Sequence, residues 1–417
     1  MKHSLEELRS GKLLGIKELK IEEDLETFPE EIFTLTDSLE LLDLSGNALV
    51  DLPDLSRLKK LKIAFFSQNR FTKIPDAFKE CSNLFLLGFK ANMIEEFAED
   101  ILPLSISWLV LTDNRLLRLP QSIGKLTKMQ KFPIAGNRLE FLPDSMKNLK
   151  NLELIRLSAN NLTEIPQWLR ELPKLAWLAF CGNPCSLSKE SSLAVVAYKD
   201  LEMDKLLGEG ASGKIYRAHS LYFNSLVAVK LFKGAVTSDG YAKDEMNACI
   251  AAGDHPNLIK VLARLEHKDL GLVLEFINPN YINLGNPPNF ETCSRDTFDE
   301  NLSIDVKDTF KVLKGVASAA GHLHSRGLMH GDLYAHNILV DSTYNTYLGD
   351  FGAASFYDTK DKSYEKIEVL AFGNLIEDLL AYVDTKEGLA YHRLLQLQKE
   401  CQNSSVKNRP LFNEMIF

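Results

Sequence analysis

In the stretch LMHGDLYAHNILV, Asp332 and Asn337 stand five residues apart, close enough to come round one turn. Thirteen residues after Asn337, LGDFGAAS supplies Asp350. An aspartate and an asparagine converging on one point suit a hard, oxygen-seeking cation such as Mg2+. Phosphoryl transfer needs such a charge near the β- and γ-oxygens, a positioned acceptor and a base for the attacking hydroxyl. Gly331 and Tyr334 flank Asp332, so any reaction here must run without a second basic side chain at those two positions.

Upstream residues extend this chemistry. LLGEGASGKIYRA places Gly208, Gly210 and Gly213 in a G-x-G-x-x-G pattern that contains Ala211 and Ser212. Alone the pattern is weak, because dinucleotide sites share it and follow it at once with a helix. Here KIYRAHS and SLVAVKLF follow, with the alternation of a strand pair. The prediction is a flap between two strands whose backbone N–H groups cover phosphates, glycine permitting close approach. VAVK ends in Lys230, and Glu245 lies fifteen residues on, in the helical stretch AKDEMNACIAAGDHPNLIKV. A lone lysine at a strand end is usually a surface charge. Paired with Glu245 it would hold its ammonium against α- and β-phosphates. LGLVLEFINPN then reads as a buried strand leading to a hinge, where backbone groups at Glu275 and Ile277 could pair with adenine.

These elements must be carried by a framework. VLKGVASAAGHLHSRG is an apolar-periodic helix leading into the Asp332 loop. With GEGASGKIY, VAVK, HGDLYAHN and DFG in order and suitably separated, residues 200–417 resemble the eukaryotic-type protein kinase domain. The resemblance implies an α+β bilobal fold with ATP and Mg2+ (or Mn2+) as cofactors. It implies Lys230 as the phosphate-anchoring lysine, Glu245 as its helix partner, Asp332 as catalytic base, and Asn337 and Asp350 as metal ligands. Gly208, Gly210, Ala211, Ser212 and Gly213 would cover the nucleotide. Ile215, Ala228 and Leu339 would sandwich adenine, with Glu275 and Ile277 at the hinge.

Several positions depart from that family's pattern. Gly331 stands where most protein kinases have an arginine that receives an activation-loop phosphate. The segment from Asp350 to Glu368 spans only eighteen residues and contains no A-P-E. Glu368 replaces a usual aspartate, and Arg409 lacks its usual partner, for which Glu365 is a candidate. Tyr334 replaces the lysine common in serine/threonine kinases. Residues 278–302, rich in Pro, Asn and Gly, read as a loop that either shapes an acceptor site or is a tolerated insertion. The expectation is a minimal activation segment not switched by phosphorylation, constitutively competent or gated by the other half of the chain.

That other half is periodic. Asn recurs at 47, 69, 92, 114, 137, 160 and 183, in steps of 22 or 23, and Asp24 extends the series backwards. Frames such as LELLDLSGNALVDLP and LELIRLSANNLTEIP resemble the leucine-rich repeat family over about residues 14–186. The implied fold is an α/β solenoid of about eight repeats. Leu42, Leu44, Leu109 and Leu111 would point inward from short strands. Each Asn would satisfy backbone groups of neighbouring turns. Ser4 and Glu7 form a capping box for a short covering helix that stops at Gly11. On the opposite, concave face the sequence places Leu41, Ile63, Phe65, Leu86, Trp108, Val110, Leu154 and Trp177. This apolar stripe is expected to bind a protein substrate or regulator.

The bulk composition agrees with a folded chain. It has 417 residues, 45% hydrophobic and 25% charged, which excludes a largely disordered protein. A net charge of −9 argues against a protein that coats nucleic acid. MKHSLEELRSGKLLG has no apolar secretory core, and no apolar run is long enough for membrane insertion. Six scattered cysteines read as thiols in a reducing compartment. The expected organisation is a repeat domain over 1–186, a junction over 187–199 whose LAVVAY suggests docking, and a kinase-like domain over 200–417. The reading is a cytoplasmic, bacterial-like signalling protein kinase, acting on serine or threonine and using its repeats for recognition. Two alternatives are a catalytically idle scaffold and a small-molecule phosphotransferase of the aminoglycoside or choline kinase type. The complete Lys230, Glu245, Asp332, Asn337 and Asp350 set weighs against the first, and the solenoid against the second.

Overall fold

The computed structural model describes residues 2–187, 193–210, 212–234, 237 and 239–417. They form two compact units, Met1–Leu172 and Pro173–Phe417.

The first unit opens with the helix Leu5–Arg9. Ser4 Oγ accepts from Glu7 N at 3.1 Å and Ser4 N donates to Glu7 Oε2 at 3.0 Å, the reciprocal cap its sequence predicts. Gly11 follows at φ +76°. Seven three-residue strands then pair in parallel and in chain order: Glu18–Lys20, Leu41–Asp43, Ile63–Phe65, Leu86–Gly88, Trp108–Val110, Lys131–Pro133 and Leu154–Arg156. Leu42, Leu44, Leu109 and Leu111 are fully buried, as their spacing before each Asn requires. Phe66, Phe71, Phe78 and Phe89 fill the interior with ring centroids 5.2–6.1 Å apart. On the return side, prolines 29, 120 and 143 start short 3₁₀ turns, where a missing N–H costs nothing.

The asparagines explain the period. Asn69 Oδ1 accepts from Leu49 N at 2.9 Å, while its Nδ2 donates to Leu44 O at 2.9 Å and Phe66 O at 3.2 Å. Asn114 repeats this with Ile94 N, Phe89 O and Leu111 O. Each amide thus satisfies backbone groups of two successive coils that burial would otherwise leave orphaned. Asp24 does not join the ladder. It is exposed at φ +52°, and the turn it occupies is itself held by Asn47, whose Oδ1 accepts from Glu23 N and Leu25 N.

The expected concave stripe needs correction. Phe65, Trp108, Val110 and Leu41 are half-buried, but Ile63, Leu86 and Leu154 are buried. Leu86 is flanked in register by Ile63 and Trp108, so its neighbours in the ladder cover it. Lys131 Nζ lies over the Trp108 ring at 4.2 Å. Trp177 belongs to the second unit and is 2% exposed. Its indole N–H donates to Leu333 O at 3.2 Å, which removes it from any free surface.

In the second unit a six-stranded sheet runs in the order Leu201–Glu209, Gly213–Ser220, Ser225–Phe232, Gly271–Glu275, Val261–Glu266 and Val195–Ala197. The last strand is the LAVVAY segment, and it pairs in parallel with Arg264–Glu266. All other pairings are antiparallel. Helix Ala242–Ala252 packs its Ala242, Met246 and Ile250 against Phe232 and Leu272 of this sheet. The remainder is mainly helical: Val306–Ser325, Ser363–Ala381 and Gly388–Cys401, with short strand pairs between the first two. Asp305 caps the first of these through Lys307 N. No helix among the described residues is long and apolar enough to cross a membrane.

Candidate active site

Lys230 sits near the end of strand Ser225–Phe232, and its Nζ pairs with Glu245 Oε1 from helix Ala242–Ala252. Both side chains are largely buried, at 13% and 3% exposure. Burial works against the Lys230 ammonium. The carboxylates of Glu245 and, further off, Asp350 more than offset this and hold its pKa above the usual lysine range. The flap serine Ser212 also hydrogen-bonds Glu245.

The glycine-rich flap lies between strands Leu201–Glu209 and Gly213–Ser220. Its glycines divide into two kinds. A Cβ on Gly208 or Gly210 would meet nothing within 4 Å, so both backbones border open space. A Cβ on Gly213 would lie 2.5 Å from Leu231 O, so this glycine serves strand packing rather than ligand approach. Lys233 pairs with Glu209 and its N donates to Ser212 O at 2.9 Å, tying the flap to the next strand but one. Ala211 lies outside the described residues.

The Asp332 loop is held from several sides. Asn337 Nδ2 donates to Asp332 Oδ2 and to Asp332 O, both at 2.9 Å, leaving its carbonyl oxygen as the ligating end. Gly349 N donates to Asn337 O at 2.9 Å, and His330 Nε2 lies 2.8 Å from Gly349 O, so the loop and the DFG turn are bonded to each other. Asp350 is exposed, at φ +57°. A Cβ placed on Gly352 would be 3.3 Å from Asp350 Oδ1 and 3.8 Å from Glu245 Oε2, which brings the helix pair and the DFG aspartate to one glycine. Asn337, through its side-chain oxygen, and Asp350 thus offer oxygen donors, the kind that fits Mg2+. Ile215, facing Lys230 in register, is half-buried; Ala228, opposite Leu274, is buried; and Leu339 is half-buried opposite Asn283. Glu275 ends its strand, exchanging bonds with Lys260, and half-buried Ile277 follows.

The sequence reading noted Glu368 only as a replacement for a usual aspartate, and it missed Asp296 and Arg295 altogether. Glu368, 1% exposed, accepts from His330 N at 3.1 Å and Gly331 N at 2.6 Å, and its Oε2 is 2.7 Å from His324 Nε2. It therefore clamps the backbone just before Asp332. Burial opposes its charge, but His324, His330 and the Gly331 N–H hold its pKa below the usual glutamate value. Asp296, in the 278–302 loop, accepts from His336 N at 2.8 Å and meets His336 Nδ1 at 2.7 Å. Burial disfavours the imidazolium, yet Asp296 and the charges of Asp332 and Asp350 raise the His336 pKa. Arg295 anchors the same loop to Glu377 and Asp378. No local sequence signal links these residues, which lie 37 or more positions from their partners. Glu365 is not the partner of Arg409. Its Oε1 accepts from Phe412 N, while Arg409 donates to the carbonyls of Asn403, Lys366 and Pro173.

Comparison with known proteins reaches the same elements. Residues 201–371 match the model of the protein kinase domain, and residues 127–184 match that of the leucine rich repeat. The chain carries a leucine-rich repeat region and a protein kinase domain. The kinase domain is similar to the serine/threonine-protein kinase AtPK2/AtPK19 of Arabidopsis thaliana, 29% identical over 42% of this chain and 36% of that one. It is also similar to the L-type lectin-domain containing receptor kinase V.7 of the same plant, 27% identical over 53% and 33%. The NUAK family SNF1-like kinase 1 of Mus musculus is 26% identical over 39% and 23%. The chain thus spans about a third or less of the length of these relatives.

Proposed function

We propose that this chain transfers the γ-phosphate of ATP to a serine or threonine hydroxyl of a protein, and that its repeats recognise the substrate or a regulator. The observation that carries this reading is the meeting of the Lys230–Glu245 pair with Asp350 at Gly352, beside the bonded Asp332–Asn337 pair. Lys230 would anchor the α- and β-phosphates, and Gly208 and Gly210 would let the flap backbone close over them. Asn337 and Asp350 would hold Mg2+, which supplies positive charge beside the phosphates when bound with the nucleotide. Asp332 would accept the proton of the acceptor hydroxyl. Ile215, Ala228 and Leu339 would flank adenine, with Glu275 and Ile277 along its edge. The serine/threonine assignment is supported by the similarity to the serine/threonine-protein kinase AtPK2/AtPK19. Phe65, Trp108 and Val110, which keep exposed area in the repeat unit, are the residues proposed to face the protein partner.

The test offers labelled ATP and Mg2+ to the full chain with dephosphorylated casein, a Glu-Tyr copolymer, an aminoglycoside and choline. Casein labelled on serine or threonine is the expected product, and Asp332→Ala should lower the rate by roughly 10²–10⁴-fold. Labelling of the small molecules instead, or casein labelling that survives Asp332→Ala, would overturn the proposal.

A further inference from the structure

Gly331 occupies the position where an arginine would receive an activating phosphate. Its backbone is left-handed, at φ +76°, and a Cβ there would lie 2.6 Å from Ala353 O and 2.7 Å from Leu178 O. No side chain fits between those two carbonyls. The space beside the loop is taken by the strand Trp177–Ala179, which belongs to the same compact unit.

That strand is fastened along its length. Arg409, 1% exposed, donates to Pro173 O at 2.7 Å just before it. The Trp177 indole N–H donates to Leu333 O, the carbonyl next to Asp332, and its ring stacks on Tyr334 at 4.4 Å and 6°. Tyr334 in turn stacks on His336 at 5.0 Å, and His336 is held by Asp296. Phe180 N donates to Ser355 Oγ at 2.9 Å, which reaches the segment after DFG. A continuous stack thus runs from Trp177 across the Asp332–Asn337 loop.

We infer that the strand Trp177–Ala179 is a phosphorylation-independent brace for the catalytic loop, and that Trp177 is a positioning residue acting through Leu333 and Tyr334. The inference rests on the phosphotransfer reading for its rate consequence, but not for its structural one. In most regulated kinases a phosphate would order this region through charge. Here an aromatic stack and a neutral hydrogen bond take that place, so Tyr334 replaces a basic residue because it must stack.

The experiment compares wild type, Trp177→Ala and Trp177→Phe as full chains. It reads kcat and KM for ATP together with hydrogen exchange of the 328–340 peptide. Misplacement of the loop should lower kcat on the order of 10²-fold in Trp177→Ala with KM for ATP unchanged. Trp177→Phe keeps a ring and loses the indole donor, so its kcat should fall only about fivefold. Both variants should exchange faster at 328–340 while remaining folded. Wild-type kcat and unchanged exchange in a folded Trp177→Ala, or in Trp177→Phe if the alanine variant does not fold, would overturn the brace. If wild type turns over no ATP, the phosphotransfer reading fails, and exchange alone then decides the brace: faster in Trp177→Phe supports it, equal overturns it.

Discussion

The two units place polar groups in their interiors in contrasting ways. In Met1–Leu172 the buried polar side chains are chiefly neutral amides, one per coil, each bonded to backbone groups of two coils. In Pro173–Phe417 they include Glu245, His324, His330, Glu365, Glu368 and Arg409, each in its own setting. A neutral amide ladder can be repeated because each rung solves the same problem, the unpaired backbone of a tight turn. A buried charge needs a specific partner and often leaves a field pointing at something else. The Lys230–Glu245 pair, lying in the field of Asp350, has that character. The comparison teaches that the repeats bury polarity as one repeated solution, whereas the kinase domain buries individual charges that need individual partners.

The largest expected stability effect comes from breaking a rung. Asn114→Ala removes bonds to Ile94 N, Phe89 O and Leu111 O; it orphans the buried Ile94 N–H, while Phe89 O and Leu111 O each keep one amide, from Asn92 and Asn137. It should destabilise the repeat unit by about 3 kcal/mol, read by denaturant unfolding, with ATP turnover unchanged under folding conditions. A turnover loss in a stably folded variant would blur the division between the units.

Glu368→Gln sharpens the same comparison from the other side. Losing the charge that holds His330 N, Gly331 N and His324 should cost about 2 kcal/mol near neutral pH and should also reduce turnover. Because the folded-state pKa of Glu368 is depressed, its contribution is complete above the unfolded value of about 4.3 and is lost as pH falls through the folded value. The stability gap between wild type and variant should therefore close as the solution is acidified. A gap that widens in acid would mean that Glu368 is not held as the anion.

The smallest expected effect is none. With Gly331 hemmed in by two carbonyls, the loop lacks a side chain there to receive a phosphate. Turnover should be the same before and after phosphatase treatment, and a large loss would show that a covalent phosphate orders the site after all.

Much of this arrangement was legible in the amino-acid sequence, for identifiable reasons. The asparagine ladder and its inward leucines follow from a period, and periods survive without tertiary knowledge. The Lys230–Glu245 pairing and the Asp332–Asn337 contact follow from motifs whose spacing reflects local geometry. What stayed hidden depends on chain segments far apart in sequence. Asp296 fell in a loop read either as shaping an acceptor site or as a tolerated insertion, and its partner His336 is forty residues away. Glu365 seemed a partner for Arg409, but three backbone carbonyls satisfy the guanidinium instead. Trp177 shares the strand position of the concave residues, and only the Asp332 loop, 156 residues later, decides that it is buried. Gly213 fits the phosphate-flap pattern, yet the Leu231 carbonyl is what requires it.

The central claim is that Asp350, beside the Lys230–Glu245 pair, makes this a magnesium–nucleotide site. Its most direct test is calorimetric titration of the full chain with ATP, in Mg2+ and in EDTA, for wild type and Asp350→Asn. Wild type should bind ATP more tightly in Mg2+, and Asp350→Asn should lose that difference while staying folded. Equal affinity in both solutions for wild type, or an undiminished Mg2+ effect in Asp350→Asn, would contradict it.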